Sequence, residues 1–204
     1  MTTIRSAVLA SGNPGKLREL RELLKEQIRL IDMRELGLAA AEETGSSFEE
    51  NARLKAFAAA AQSGLPALSD DSGLEVDALG GAPGIYSARY AGDDGNARAN
   101  IRKLLKDLEG VPAGNRTARF RCVLVLATPD SEHAPLVAEG VWEGRIAERA
   151  EGRRGFGYDP VFLDRRTGRC VALMSAAEKG LKSHRGLAAR ELVRLLESRC
   201  AGTG

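Results

Sequence analysis

The chain has 204 residues, of which 43% are hydrophobic and 28% are charged, and it carries a formal net charge of +2. This composition is typical of a packed globular core and excludes an intrinsically disordered chain. The nearly neutral charge gives no support for a surface that binds nucleic acid or a membrane. No apolar run approaches the roughly 20 residues of a membrane span, and no signal-peptide pattern is present. We expect one cytoplasmic domain over residues 1–204.

Three cysteines, Cys122, Cys170 and Cys200, lie far apart in the chain. None belongs to a CxxC pair, and their number is odd. Both features argue against a disulfide framework and against a zinc site.

The N-terminal segment predicts a β-α-β unit. Residues 4–10 predict a short buried strand that runs into a glycine- and proline-containing turn. A helix follows, and a second strand is predicted over residues 28–31. The helix carries one apolar stripe, formed by Leu17, Leu20, Leu23 and Leu24.

A second helix is predicted to begin after Ser47, which forms a capping-box pattern with Glu50, and to end at Gly64. Its predicted apolar face consists of Ala52, Leu54, Ala56, Phe57, Ala59 and Ala60. Residues 66–68 predict a short strand that ends before the polar run Ser69-Asp70-Asp71-Ser72-Gly73.

The remaining elements alternate between helix, strand and loop. In chain order they are a loop at 80–92, a helix at 96–108, strands at 119–127 and 136–146 that form an antiparallel pair, a tight loop at 155–160 and a final helix at 186–200. Interleaved helices and strands predict an α/β fold with a mixed sheet. The two long strands predict a lobe of their own, with a cleft between two halves.

The first candidate site is the turn Ser11-Gly12-Asn13-Pro14-Gly15-Lys16. A strand-to-helix turn offers backbone N–H groups to an anion, its two glycines allow close approach, and Lys16 adds a positive charge. An ordinary turn between a strand and a helix has a similar composition. The turn is not a Walker A motif, because its spacing is too short and Leu17 follows the lysine.

The second candidate is a set of acidic residues, Glu42, Glu43, Asp70, Asp71 and Glu75. Two adjacent carboxylates at the end of a strand are costly unless a cation is near. Mg²⁺ takes hard oxygen ligands, typically one or two carboxylates with water and substrate phosphates. The alternative is a turn in which the aspartates cap local backbone groups.

The third candidate is the loop from Gly155 to Pro160, which places Phe156 and Tyr158 beside glycines in a chain that is only 4% aromatic. Such rings can stack on a nucleobase. Packing of Phe156 into the core would explain the loop equally well. The order of the glycines excludes a dinucleotide-binding fingerprint.

The fourth candidate is Lys179 with the segment Ser183-His184-Arg185-Gly186. Arg185 offers a fork of N–H donors to an oxygen acceptor. Helix capping is the alternative for a His-Arg pair before a helix. Taken together, the four candidates describe a site for a nucleotide with Mg²⁺.

These motifs occur in an order that resembles the inosine triphosphatase family, pyrophosphatases of non-standard purine nucleoside triphosphates. The motifs are the residues 11–16, Asp70-Asp71-Ser72-Gly73, Gly81-Ala82-Pro83-Gly84, the residues 155–160, and Lys179 with the residues 183–186. The resemblance runs from about Val8 to the final helix. It implies a mixed, elongated central sheet flanked by helices, two lobes with an active-site cleft, and a homodimer. It also implies Mg²⁺-dependent hydrolysis of ITP, dITP and XTP to the monophosphate and pyrophosphate.

The resemblance also implies residue roles. The residues that would hold the triphosphate are Ser11, Gly12, Asn13, Pro14, Gly15 and Lys16, assisted by Lys55. Glu42 and Asp71 would serve the metal, with Asp70 close by, and Asp71 would accept a proton. The residues that would bind the rest of the substrate, chiefly its base and sugar, are Ser72, Phe156, Gly157, Tyr158, Asp159, Lys179, His184 and Arg185. One departure is Leu173, where many relatives carry a glutamate.

Two alternatives stay open at this stage. One is a pyrophosphatase for modified pyrimidine or methylated nucleotides resembling the Maf-like group, whose opening loop is rich in arginine, unlike Gly15-Lys16-Leu17. The other is a nucleotide sensor or nucleic-acid-binding module. Its basic patch would consist of Arg149, Arg153, Arg154, Arg165, Arg166 and Arg169. Acidic residues alternate with these arginines, which favours a solvated mixed surface and no nucleic-acid partner.

Overall fold

The computed structural model describes residues 4–92, 95–130 and 134–201. Its sheet has the order β2-β1-β3-β4-β5-β6. The strands are β1 (Ser6–Leu9), β2 (Arg29–Asp32), β3 (Ala67–Val76), β4 (Thr117–Ala127), β5 (Leu136–Ile146) and β6 (Phe162–Asp164). Strand β1 is parallel to β2 and β3, whereas β5 and β6 are antiparallel. The predicted α/β fold with a mixed sheet is confirmed.

The described helices are α1 (Pro14–Leu24), α2 (Phe48–Ser63), α3 (Ala97–Asp107), α4 (Ala176–Lys182) and α5 (His184–Ala201). All except α4 were predicted from the sequence, and α5 begins two residues earlier than expected. Helix α4 has a full capping box, in which Ser175 accepts from the backbone of Glu178 and the side chain of Glu178 accepts from Ser175 N. No helix in the described ranges is both long and apolar enough to cross a membrane.

The predicted apolar face of α2 is partly wrong. Ala52, Ala56 and Ala60 are buried, but Leu54 is 41% exposed and Phe57 is 44% exposed. The buried alanines follow a helical spacing of four residues, so their small side chains form the stripe in contact with the protein. The N-terminal cap at Ser47 and the C-terminal cap at Gly64 are confirmed, although Glu50 binds Ser46 N at 2.7 Å and does not close a capping box with Ser47.

The chain forms two compact units. The first contains the residues up to Asp71, residues 122–140 and the residues from Arg185 onward. The second contains residues 72–121 and 141–184. The predicted cleft between two lobes stays a prediction.

In the first unit, side chains on β1 and β3 alternate between two apolar layers. Leu9 and Leu68 are aligned across the two strands and belong to the cluster that contains α1 and α5. Val8 and Ala67, the neighbouring aligned pair, belong to a cluster with Ala59 of α2. Because successive strand residues point to opposite faces, the even-numbered residues of β3 in this unit face α1 and α5, and the odd-numbered ones face α2.

In the second unit, α3 packs on an aromatic core. Leu104 of α3 shares a buried cluster with Phe120, Trp142 and Phe162. The Phe162 ring packs where a side chain on Gly144 would stand, since a Cβ on Gly144 would overlap that ring. The absence of a side chain at Gly144 therefore permits the close contact between β5 and β6.

Candidate active site

The turn between β1 and α1 is built around Asn13. The Asn13 Oδ1 atom accepts hydrogen bonds from Gly15 N at 2.8 Å and Lys16 N at 3.2 Å, and Pro14 occupies the first helical turn. This arrangement is an N-terminal cap in which the asparagine side chain satisfies the first free amides of the helix. Two of the backbone donors that the sequence offered to an anion are therefore already bound.

Other donors in the same turn remain open. Within the described residues, the backbone N–H groups of Ser11 and Gly12 make no hydrogen bond. The side chain of Lys16 is only 14% exposed, and its ammonium contacts Asp70 twice, Oδ1 at 2.8 Å and the carbonyl oxygen at 3.3 Å. A lysine ammonium has three donors, so one donor of Lys16 is left for a ligand.

The sequence prediction for Asp70 and Asp71 was wrong in its local structure. They do not leave the end of a short strand, because β3 continues without interruption from Ala67 to Val76. Both are buried, Asp70 completely and Asp71 to 6% exposure. Since they are successive residues of one strand, their side chains point to opposite faces of the sheet.

Asp70 is paired with two cations. Its Oδ1 contacts Lys16 Nζ at 2.8 Å, and its Oδ2 accepts from Arg185 Nε at 2.6 Å. Arg185 Nη1 also contacts Glu19 Oε2 at 2.6 Å. Burial by itself would raise the pKa of Asp70, but Arg185 and Lys16 outweigh it and hold that pKa well below its ordinary value. Asp70 is therefore ionised and its charge is balanced.

Asp71 is held by Lys55, which reaches it from α2. Lys55 Nζ donates to Asp71 Oδ1 at 2.6 Å, Glu43 Oε1 at 2.9 Å and the Asp70 carbonyl at 3.1 Å, so all three donors are used. Burial raises the pKa of Asp71 above its ordinary value, and the opposing effects of Lys55 and Lys16 do not cancel it. The second carboxylate oxygen, Oδ2, makes no hydrogen bond in the described part of the chain and is not fully buried.

The carboxylates fit a Mg²⁺ site of the open kind. Among the described residues no group of three or more His, Cys, Asp or Glu side chains is placed to hold a metal ion. Asp71 Oδ2 is an available hard oxygen, and Glu42 is exposed. A single open carboxylate oxygen suits an ion that keeps water and substrate oxygens as most of its ligands, as Mg²⁺ does. The metal roles of Glu42, Asp70 and Asp71 stay predictions.

The aromatic loop lies in the second unit and is fixed by Asp159. The Asp159 Oδ2 atom accepts from Phe156 N at 2.8 Å and pairs with Lys179 Nζ at 2.5 Å. The same ammonium lies 4.7 Å from the centre of the Phe156 ring, within the range of a cation–π contact. Gly155 has φ +78°, and a Cβ there would overlap the Asp159 carboxylate. The loop therefore holds Phe156, which is only partly buried, in a set position.

The other predicted substrate residues have these positions. Tyr158 is 5% exposed and its hydroxyl donates to Ser87 O at 2.9 Å. Ser72 is half-buried within β3. His184 is the first residue of α5 and stacks on Phe120 with ring centroids 4.7 Å apart. Their contacts with a substrate stay predictions.

The family model described as the Ham1 family matches residues 7–195, nearly the whole chain. The chain belongs to the Ham1 family. The predicted resemblance to the inosine triphosphatase and dITP/XTP pyrophosphatase group is thereby confirmed.

Individual members support the Ham1 assignment. The dITP/XTP pyrophosphatase of Thioalkalivibrio sulfidiphilus is 55% identical over 193 residues, which are 94% of this chain and 98% of that protein. The protein of the same name from Methylococcus capsulatus is 52% identical over 97% of this chain and 99% of its own. Among solved structures, a HAM1 protein from Coxiella burnetii is 45% identical with a TM-score of 0.86, covering 96% of this chain and 100% of that one.

Sequence reasoning missed several residues of this Ham1 site. Glu19, on α1, was not singled out although it completes the ion pairs of Arg185. Glu43 was in the acidic set without a role, and it binds Lys55. The spacing of Lys16 and Glu19, three residues apart on one helix, was a signal that both face the same way. Glu75, also in the acidic set, pairs with Arg119 and Arg121 in the second unit.

The arginines of the nucleic-acid alternative are exposed in this Ham1 protein. Arg169 pairs with Glu178 at 2.9 Å. A patch whose charge is partly neutralised in this way gives weak support for binding a polyanion.

Proposed function

We propose that this Ham1 protein hydrolyses dITP, XTP and ITP to the nucleoside monophosphate and pyrophosphate. The observation that carries the proposal is the Asp71 carboxylate, which has one oxygen fixed by Lys55 and the other open. It lies in a chain whose relatives are named dITP/XTP pyrophosphatases. By removing such nucleotides, the enzyme would prevent their incorporation into DNA and RNA.

In the proposed reaction, the oxygen of one water molecule forms a bond with the α-phosphorus. The bond between that phosphorus and the α-β bridging oxygen breaks, and pyrophosphate leaves with the electron pair. One proton of the water passes to Asp71 Oδ2 and then to solvent. In such transfers the main tasks of the protein are to place the water in line and to stabilise charge.

Asp71 is suited to accept the proton because its pKa is raised by burial, which makes it a stronger base than an exposed aspartate. Lys55 keeps the carboxylate in one orientation through Oδ1. The free Oδ2 is therefore the atom assigned to the water. Lys55 has no donor left for phosphate, so we assign it to positioning.

The triphosphate is assigned to the turn before α1. The donors available there are the N–H groups of Ser11 and Gly12 and the third donor of Lys16. Glycine at position 12 leaves the approach open, since nothing lies within 4 Å of where its Cβ would stand. When bound, Mg²⁺ would neutralise charge on the phosphates and on the leaving pyrophosphate. Asp71 would hold it through the water on Oδ2, with Glu42 as a second carboxylate.

Recognition of the base is assigned to Phe156, Lys179 and His184. Arg185 is buried and paired with Asp70 and Glu19, so it is assigned to that pairing and not to the base. The ring of Phe156 would stack on the purine. N–H donors suit the 6-oxo group of hypoxanthine and xanthine, and they would face the amino group of adenine donor to donor. A mismatch of this kind leaves buried polar groups unpaired, which discriminates strongly between substrates.

The test is pyrophosphate release from dITP and XTP with Mg²⁺. Asp71→Asn should abolish release while the protein stays folded, and Lys16→Ala should mainly raise KM. A matched control is Glu75→Gln, which neutralises another carboxylate of β3 and should stay near wild type. A folded Asp71→Asn variant with near-wild-type turnover would contradict the role of Asp71 as proton acceptor.

We extend the proposal to a cytoplasmic homodimer, as the family resemblance implies. Sedimentation at several protein concentrations tests the dimer. Turnover of modified pyrimidine triphosphates in preference to dITP would favour the Maf-like alternative. DNA binding that weakens with salt, without turnover of any nucleotide, would favour the nucleic-acid alternative.

A further inference from the structure

We propose that Asp70 is a positioning residue that fixes the ammonium of Lys16 for the triphosphate, and that it is not a ligand of the metal. The inference rests on the proposed function and separates two adjacent aspartates that the sequence pattern groups together. It is carried by the direction of their side chains and by the partners of each carboxylate.

The side chains of Asp70 and Asp71 point to opposite faces of β3. Asp70 shares a face with Leu68, the face packed against α1 and α5, whereas Asp71 shares a face with Ser69. Ser69 Oγ donates to Ala52 O of α2 at 2.6 Å, which confirms the direction of that face. A metal ion held by the open oxygen of Asp71 would therefore lie on the side of the strand away from the Asp70 carboxylate.

The Asp70 carboxylate already has a cation at each of its two oxygens. Its Oδ1 contacts Lys16 and its Oδ2 contacts Arg185, and the whole side chain is buried. A carboxylate that is completely buried and engaged by a cation at each oxygen is poorly placed to ligate a further ion that must also retain water. Its function is better explained by the cations that it holds.

Asp70 belongs to a chain of ion pairs among four side chains. Lys16 and Glu19 lie one helical turn apart on α1, Asp70 lies on β3, and Arg185 lies on α5. The contacts run from Lys16 to Asp70, from Asp70 to Arg185 and from Arg185 to Glu19, with two positive and two negative charges in balance. Lys16 therefore has two of its donors fixed by one residue, and its third donor has a set direction.

The test is a double-mutant cycle between Asp70→Asn and Lys16→Ala, read as KM and kcat for dITP. Asp70→Asn alone should raise KM about tenfold, the effect of a lost charged hydrogen bond, with little change in kcat. In the Lys16→Ala background the same substitution should change KM less than about twofold, because residues that act as a unit are not additive. Equal effects in both backgrounds, or an unchanged KM, would overturn the proposal.

A second readout uses Mn²⁺ alone, with free ion followed by electron paramagnetic resonance. Asp71→Asn should weaken Mn²⁺ binding and Asp70→Asn should not. Equal weakening by both would make Asp70 a ligand and overturn the proposal. Ser69→Ala, which removes a buried hydrogen bond next to Asp70, is the stability control and should leave both KM and Mn²⁺ binding near wild type.

Loss of Asp70 leaves Arg185 buried without that partner, which can prevent folding. If Asp70→Asn does not fold, the experiment is repeated with Arg185→Gln present in every variant. The double variant Asp70→Asn with Arg185→Gln loses one charge of each sign, and Arg185→Gln alone is its reference. Failure of the wild-type protein to release pyrophosphate would refute the proposed function itself. If the wild-type protein is active but Asp70→Asn has the same effect on KM with and without Lys16→Ala, only the role of Asp70 is refuted.

Discussion

Replacement of Lys55 by methionine tests how the protein sets the proton affinity of Asp71. Lys55 Nζ lies 2.6 Å from Asp71 Oδ1, and this cation lowers the pKa of the carboxyl group against the larger effect of burial. An opposite charge at such a distance lowers a carboxyl pKa by about one to three units. Lys55→Met should therefore raise the pKa of Asp71 by about that amount.

The assay is the pH dependence of kcat/KM for dITP, which reports groups of the free enzyme. A general base must be deprotonated, so activity falls as pH drops through its pKa. The acid limb of this pH profile, where kcat/KM falls at low pH, should lie about one to three pH units higher in the Lys55→Met variant than in the wild type. The level of the plateau should also fall, since the carboxylate loses the contact that orients it.

Two further variants control this experiment. Lys55→Arg keeps the positive charge and should leave the acid limb close to its wild-type position. Glu43 raises the pKa of Asp71 by repulsion, so Glu43→Gln should move the limb in the opposite direction, to lower pH. An acid limb that stays in place in Lys55→Met would refute the assignment of that limb to Asp71.

Other predictions concern the loop and the stability of the chain. Gly155→Ala should raise KM for dITP and destabilise the loop by about 1–3 kcal/mol, because φ is +78° and the new Cβ would overlap Asp159. An unchanged KM would contradict the inference that the loop is fixed. Burial alone would raise the pKa of Asp164, but hydrogen bonds, including one from Trp142, outweigh it and lower that pKa. The ionised Asp164 therefore stabilises the folded protein above about pH 4, and this contribution is lost as the pH falls through the lowered pKa. The difference in unfolding free energy between wild type and Asp164→Asn should therefore shrink from about pH 5 to pH 3, followed by urea unfolding with the fluorescence of the single tryptophan. Ser47→Ala should lower the unfolding free energy by about 0.5–2 kcal/mol through loss of the cap, without changing KM.

Local patterns in the sequence were sufficient where the structure follows local rules. Helix α1 has its apolar stripe where predicted, α3 begins after its Asn96 cap, and β4 and β5 were predicted to within about two residues. These elements combine periodic apolar residues with recognisable ends. The strand-to-helix turn before α1 was likewise predicted from residue type and spacing, whereas its phosphate role stays a prediction.

The interior of β3 could not be predicted in this way. The run Ser69-Asp70-Asp71-Ser72-Gly73 lacks the alternation of a half-buried strand, so the strand was predicted to end before it. It is a buried strand because the charges on it are matched by groups far away in sequence, such as Arg185, 115 positions from Asp70. No local pattern contains that information. The functional difference between Asp70 and Asp71 depends on the same long-range pairing.

The length of α4 explains why it was missed, since seven residues give less than two full helical turns of periodic signal. Its capping box at Ser175 and Glu178 was the available sign. The buried face of α2 was predicted too wide because Leu54 and Phe57 are apolar but lie outside the stripe of alanines. Hydrophobic character alone does not define the buried face of a helix.

The most direct test of the account is the product analysis of purified protein with Mg²⁺ and a panel of triphosphates: dITP, XTP, ITP, GTP, ATP and pyrimidine nucleotides. We predict one monophosphate and one pyrophosphate per turnover from dITP, XTP and ITP, with far slower hydrolysis of ATP. Release of orthophosphate in place of pyrophosphate, or equal turnover of ATP and dITP, would contradict it.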